Sequence, residues 1–366
     1  PLQGCKMIGI VMFFAALLML VIGFPVAFTF GSVSIFFGIA AAFIELLPDA
    51  TFAAVSEEFF LMFSMMPFRL YSIMTNTILI AVPLFIFMGI VLQKSELAER
   101  LLESMGARFG RVRGGVAVST VLVGALLAAS TGVVGASVVA MGIISLPVML
   151  KYGYSKKLAT GTICASGTLG QIIPPSIVLI ILGDVFQLPV GDLFKVALMP
   201  GLILVGMYII YILCLSFLHK DAAPAINDTE STEKGVRIGK ALVAIIPPLT
   251  LIVMVLGSIF MGIATPTESA SVGAIGALTL ATLYRKLSWK TVEQSLQETV
   301  RITAMVFAIL IGATAFSMVF VYSGADYIVE DFLTTLPGEK WGFLILSMLA
   351  ILALGFFIDF IEISYI

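Results

Sequence analysis

Three groups of residues in this 366-residue chain have the types and spacing to handle a charged ligand. The first is Asp359 and Glu362, three residues apart in the apolar stretch "GFFIDFIEIS". Carboxylates inside an apolar run are costly and usually serve an ion or a proton. The pair suits a bound cation or a proton relay; a solvated position at an external interface accounts for it as well. The second group is Ser130, Thr131 and Gly132 within "LAASTGVVGAS". A helix starting near Val133 would aim the positive end of its dipole at an anion there. The third is "TLGQIIPPSIVLIILGD", Thr168–Asp184. Adjacent Pro174 and Pro175 remove two backbone donors, so no helix passes through intact. Carbonyls freed over Gly167–Pro175, Gly170 among them, join the side chains of Ser166, Thr168 and Gln171 as oxygen donors for a hard cation. The competing reading is a proline kink whose polar side chains only satisfy the freed backbone.

Two further residues draw attention. Glu268 is the one charge between Lys240 and Arg285. "TPTE" reads as a helix start, with Thr265 at the N-cap, Pro266 next and Glu268 closing a capping box; a coupling role is the alternative. His219, the single histidine, stands beside Lys220 in a polar loop and has no partners for metal or base chemistry.

The elements that must position these groups are apolar. The chain is 60% hydrophobic and 11% charged, with a mean hydropathy of +1.14. Charge-free runs cover 7–44, 70–93, 114–150, 158–183, 196–218, 241–267, 269–284, 302–325 and 341–358. A spanning helix needs about 20 apolar residues, so the expected fold is an all-α polytopic membrane protein. Ten-residue alternation, the mark of a membrane β-barrel, is absent from the sequence. The basic residues crowd into loops 94–113, 151–157, 219–240 and 285–301. By the positive-inside rule these face the cytoplasm, which puts the N-terminus outside.

Run 114–150 has basic residues at both ends, so it must enter and leave on one side. Two full spans with a tight external turn would do this. The arm Gly114–Ala128 would be only about 22 Å long, which favours a re-entrant hairpin whose tip stops inside the membrane. Run 7–44 is long enough for two spans broken near Gly23-Phe24-Pro25, and 45–69 suits an external amphipathic segment. "FMGIVLQKSELAERLLESM" and "SMVFVYSGADYIVEDFLTTL" each join a span end to a polar arm, about 230 residues apart. One arm is predicted cytoplasmic and the other external, the plan of an inverted-topology repeat with broken helices that secondary transporters use. The predicted organisation is 1–69, N-terminal scaffold spans; 70–195, a first repeat unit with hairpin 114–150 and broken helix 158–183; 196–300, scaffold spans and a cytoplasmic arm; and 301–366, a second, incomplete unit. The repeat offset carries the proline pair beyond Ile366, so a C-terminally truncated chain is expected.

The segments "VPLFIFMGIVLQKSELAERL", "ASTGVVGASVVAMGIISLPVMLKYGY", "GTLGQIIPPSIVLIILGD" and "ATPTESASVGAIGAL" resemble the large membrane subunit (the DctM-like component) of TRAP, tripartite ATP-independent periplasmic, transporters. The resemblance spans residues 7–366. It implies an elevator-type, sodium-coupled importer of organic acids, dicarboxylates included, in the bacterial inner membrane. It also implies a small four-helix membrane subunit and a periplasmic substrate-binding protein as partners. Sodium would then be the coupling ion, with no other cofactor, held near Ser130, Gly167, Gly170 and Asp359. Ser130, Thr131, Gly132, Ser166, Thr168, Gly170, Pro174 and Asp359 form the candidate substrate and ion site.

Other classes fit less well. A proton-coupled or channel-like transporter of small anions is the runner-up, since re-entrant loops also build selectivity filters. An enzyme is not expected: there is no H-E-x-x-H or G-x-S-x-G, and the lone histidine sits in a loop. Cys5, Cys164 and Cys214 are too scattered to indicate a disulfide framework or metal site. Dispersed basic residues and a net charge of −2 give no nucleic-acid footprint.

Overall fold

A computed structural model describes residues 2–46, 51–95, 112–131, 134–219, 222–225, 234–356, 358 and 363–364. All the regular structure among them is helical. The chain divides into two compact units, residues 1–76 with 304–366, and residues 77–303.

In the first unit, α1 (Leu2–Ile22) and α2 (Val26–Glu45) form the hairpin expected from run 7–44. Gly23 turns the chain at φ +98°, a backbone conformation other residues enter with strain, and Pro25 opens α2. Met12, Ala16 and Leu20 of α1 share a buried cluster with Phe30, Val33 and Ala41 of α2. The segment after them is helical: α3 (Phe52–Met62), a short 3₁₀ turn, then α4 (Met66–Thr75). The unit is completed by the end of α13 (Trp289–Tyr322), then α14 (Ala325–Thr334) and α15 (Glu339–Leu354). Gly312 of α13 lies so close to α2 that a Cβ there would stand 2.8 Å from the Ala27 carbonyl. The Tyr322 phenol meets the carboxylates of Glu45 and Glu58 at 2.6 and 2.5 Å, joining α13 to α2 and α3.

The second unit contains α5 (Ala81–Lys94), the hairpin arms α6 (Gly115–Thr131) and α7 (Val134–Lys151), and α8 (Lys156–Thr168). It continues through α9 (Ile177–Val185), α10 (Val190–Leu218), α11 (Lys234–Phe260), α12 (Pro266–Leu283) and the start of α13. α2, α10 and α13 are each long and apolar enough to cross a membrane. Many large apolar side chains on such helices face outward, Phe28 at 77% exposure among them. Lipid covers such faces in a membrane protein, where the hydrocarbon is as apolar as the side chains.

Two expectations need correction. Run 70–93 is not one helix: α4 ends at Thr75 and α5 begins at Ala81. The backbone between them is held from outside, the Thr267 hydroxyl donating to the Thr77 carbonyl at 2.8 Å. Polar Asn76 and Thr77 and this tertiary bond replace the helical pattern that apolarity alone suggested. The basic segment 285–301 is not a separate arm either. From Trp289 it is the first part of α13, whose 34 residues reach about 51 Å. Its charges stay in an extension of the apolar part, with Lys94 and Glu298 paired at 2.8 Å.

Candidate functional site

The broken helix begins with α8. Ser155 caps it, accepting from the Leu158 N–H at 3.3 Å. The helix tightens into a 3₁₀ turn over Leu169–Gln171, and regular structure resumes at Ile177. Pro174 and Pro175 have no N–H to give the carbonyls of Gly170 and Gln171, four residues earlier. The structure meets one of these losses. The Ser176 hydroxyl donates to the Gln171 carbonyl at 2.6 Å while capping α9, where it accepts from Leu179 N–H at 3.5 Å. Gly170, Pro174 and Pro175 are all buried. The Gln171 side-chain nitrogen is also buried, with no hydrogen-bond partner in the structure. The break is therefore an interior feature with one unmatched donor and with carbonyls withdrawn from helical pairing.

The hairpin is built from arms of 17 and 18 residues, about 25 and 27 Å long. Both fall short of a hydrocarbon core of about 30 Å. α8 lies against both arms. Gly124 of α6 faces Ser166 so closely that a Cβ on the glycine would stand 2.5 Å from the Ser166 Cβ. Gly167 faces α7: its Cβ would stand 2.3 Å from Val138 Cγ2, 3.0 Å from the Val138 nitrogen and 3.1 Å from its Cα. Val138 is four residues from the start of α7, and Gly167 two residues from the 3₁₀ turn. The positive end of the α7 dipole and the break are thus held in one neighbourhood.

The base of the hairpin is tied as firmly. The Tyr154 phenol oxygen accepts the Val116 N–H at 3.2 Å, covering an end donor of α6. Burial pushes the Tyr154 phenol pKa up, against the opposing pull of hydrogen bonds from the Val116, Ala117 and Gly114 backbone. Gly114 N–H donates to the Ala223 carbonyl at 3.2 Å and Ser155 N–H to the Ala222 carbonyl at 2.9 Å. A short stretch after α10 therefore fixes where α6 and α8 begin.

Among the residues expected in the site, Ser166 is fully buried and its hydroxyl donates to the Ile163 carbonyl at 3.0 Å. Thr168 is exposed and donates to the Ala165 carbonyl at 2.9 Å. Ser130 and Thr131 end α6. Gly132, Asp359 and Glu362 lie outside the described residues. Glu268 closes the capping box with Thr265: its carboxylate accepts from the Thr265 N–H at 2.7 Å and the Thr265 hydroxyl at 2.9 Å. Sequence reasoning missed the two glycine contacts, Gly124–Ser166 and Gly167–Val138. The small residues were visible, but nothing in their order names the partner.

An all-helical, largely apolar chain with a short-armed hairpin packed on a buried helix break has the build of a polytopic membrane transporter. The comparisons agree. A family model described as "Tripartite ATP-independent periplasmic transporter, DctM component" matches residues 11–366, and the chain belongs to that family. It is 31% identical to the C4-dicarboxylate TRAP transporter large permease protein DctM of Pseudomonas aeruginosa, over 80% of this chain and 67% of that protein. It is 30% identical to the ectoine TRAP transporter large permease protein TeaC of Halomonas elongata, over 77% and 65%. It is 28% identical to the sialic acid TRAP transporter large permease protein SiaM of Vibrio cholerae, over 78% and 65%. The chain spans about two thirds or less of the length of most of the curated relatives it matches, as little as 44% of the isethionate TRAP transporter permease protein DctMQ of Oleidesulfovibrio alaskensis.

Proposed function

We propose that this chain is the large permease part of a TRAP transporter that imports an organic acid across the bacterial inner membrane, driven by sodium and working by an elevator motion. A small four-helix membrane subunit and a periplasmic substrate-binding protein are its partners in this reading. Basic loops 151–157 and 219–240 face the cytoplasm, and the N-terminus is periplasmic. The observation that carries the proposal is the contact of Gly167 with the backbone of Val138, which sets the helix break beside the start of the hairpin's second arm. A carboxylate suits that helix start, and a hard cation suits the Gly170 carbonyl, which Pro174 leaves without its helical donor. In this reading Ser130, Thr131, Gly132, Ser166, Thr168, Gly170 and Pro174 belong to the substrate and ion site, and Asp359 is an ion ligand. The buried Gln171 nitrogen is a donor that a substrate carboxylate would satisfy. The acids named for the relatives differ, so the class is wider than any one of them.

The test needs no substrate. The full-length protein is melted in sodium and in choline at equal ionic strength. Sodium at 100 times its dissociation constant stabilises by about 2.7 kcal/mol, and the gain is expected to vanish in Asp359→Asn. Melting that ignores sodium but follows pH would replace this reading with proton coupling through Asp359 and Glu362.

A further inference from the structure

A cavity of about 640 Å³ lies within the second unit, along α8 from Ser155 to Ala165 and against the end of α10 at His219. Its size falls within the range of about 300–1,000 Å³ typical of sites for small ligands. The walls are of two kinds. Val121, Leu158, Ile212 and Leu215 make an apolar lining. Lys157, His219, Tyr208 and Tyr211 bring polar groups to the same space. Lys157 and His219 are exposed, and neither forms an ion pair among the described residues. No carboxylate among the described residues lines the cavity; Asp221, the nearest in sequence, lies outside them. Thr162, only 5% exposed, also lines it, and its hydroxyl has no hydrogen-bond partner.

The surface that continues from the cavity is apolar. Tyr211, in the lining, and Met207, one turn before it on α10, are each about 60% exposed. A soluble anion would gain nothing from that surface or from the apolar walls. A chain-bearing anion would use all three features: basic groups at the ends of helices, a lined cavity and an apolar flank. Basic pockets between spanning helices at the membrane boundary hold anionic lipid headgroups in this way.

We propose that this cavity binds one anionic phospholipid. Its phosphate lies between Lys157 and His219, with Tyr211 beside it, and an acyl chain runs along the accessible lining of Ala165, Tyr208 and Leu215. Lipid bound here would bridge α8, the first half of the broken helix, to α10. The proposal goes beyond the transport reading and does not depend on the coupling ion.

The test is lipid retention by the delipidated full-length protein, read by native mass spectrometry with phosphatidylglycerol or phosphatidylcholine at equal concentration. Phosphatidylglycerol is expected to be retained over phosphatidylcholine. Lys157→Gln and His219→Gln should each weaken retention about fivefold, and Lys157→Arg should restore it. Both side chains are exposed, so these variants leave the packing in place. Equal retention of the two lipids, or retention unchanged in both Gln variants, overturns the proposal. Displacement of the lipid by millimolar inorganic phosphate also overturns it, because the pocket would then be one for a free anion.

Discussion

Gly167→Ala places one methyl group at the junction on which the candidate site depends. The new Cβ would stand 2.3 Å from Val138 Cγ2 and 3.0–3.1 Å from the Val138 backbone. A rotamer change relieves the first contact but not the other two, so α8 must back away from α7. Overpacking of this kind costs about 1–3 kcal/mol. Alanine returns up to about 1 kcal/mol through helix propensity, less so close close to the end of α8. The net expectation is a loss of about 1–2 kcal/mol. Gly142→Ala in α7 is the control, because its Cβ would meet nothing within 4 Å. It should be neutral or should stabilise by up to about 1 kcal/mol. The assay is thermal melting of the detergent-purified protein in choline and again in sodium. Gly167→Ala should melt below the parent and show a smaller sodium gain; Val138→Ala in the same chain should recover part of the loss. A Gly167→Ala protein that melts like Gly142→Ala would refute the described packing of hairpin on broken helix.

Three other perturbations probe the surrounding devices. Thr265→Ala removes the α12 cap and should cost about 0.5–2 kcal/mol in melting, while the sodium dependence proposed above for transport should be unchanged, since Glu268 here serves the helix start. Ser176→Ala removes both the α9 cap and the Gln171 carbonyl's donor, with an expected cost of about 1–3 kcal/mol by denaturant titration. Tyr154→Phe leaves the Val116 N–H without its acceptor and should cost about 1 kcal/mol near neutral pH. The Tyr154 phenol is pushed up in the folded protein, so its stabilisation is complete below the ordinary value of about 10 and fades as pH rises beyond it. An alkaline melting series should show that decline in the parent and a shallower one in Tyr154→Phe.

Much of this fold could be read from the chain because it depends on local rules. Gly23 and Pro25 mark the α1–α2 turn, Pro174 and Pro175 break the helix, and "TPTE" starts α12. Each follows from the conformations open to those residues or from a lost N–H, and needs no distant partner. The readings that failed relied on apolarity alone. Run 70–93 is apolar enough for one span, yet Thr267, 190 residues away, holds the Thr77 carbonyl in a break. The basic residues of 289–301 looked like a loop because charge was taken as the end of a helix. Charge ends the apolar part of a helix, while the backbone continues wherever propensity and packing allow.

The candidate site divides along the same line. The sequence by itself determined that a hairpin flanked by basic residues and a proline-broken helix exist, and that both carry small and polar residues. Periodicity, charge placement and the missing proline donor all act within a few residues. Tertiary structure alone decided that Gly167 meets Val138, that Gly124 meets Ser166 and that Tyr154 caps α6. A glycine permits close approach from any direction, and an N–H at a helix end accepts any suitable oxygen. Which partner arrives depends on how whole helices pack, and that is a property of the folded chain.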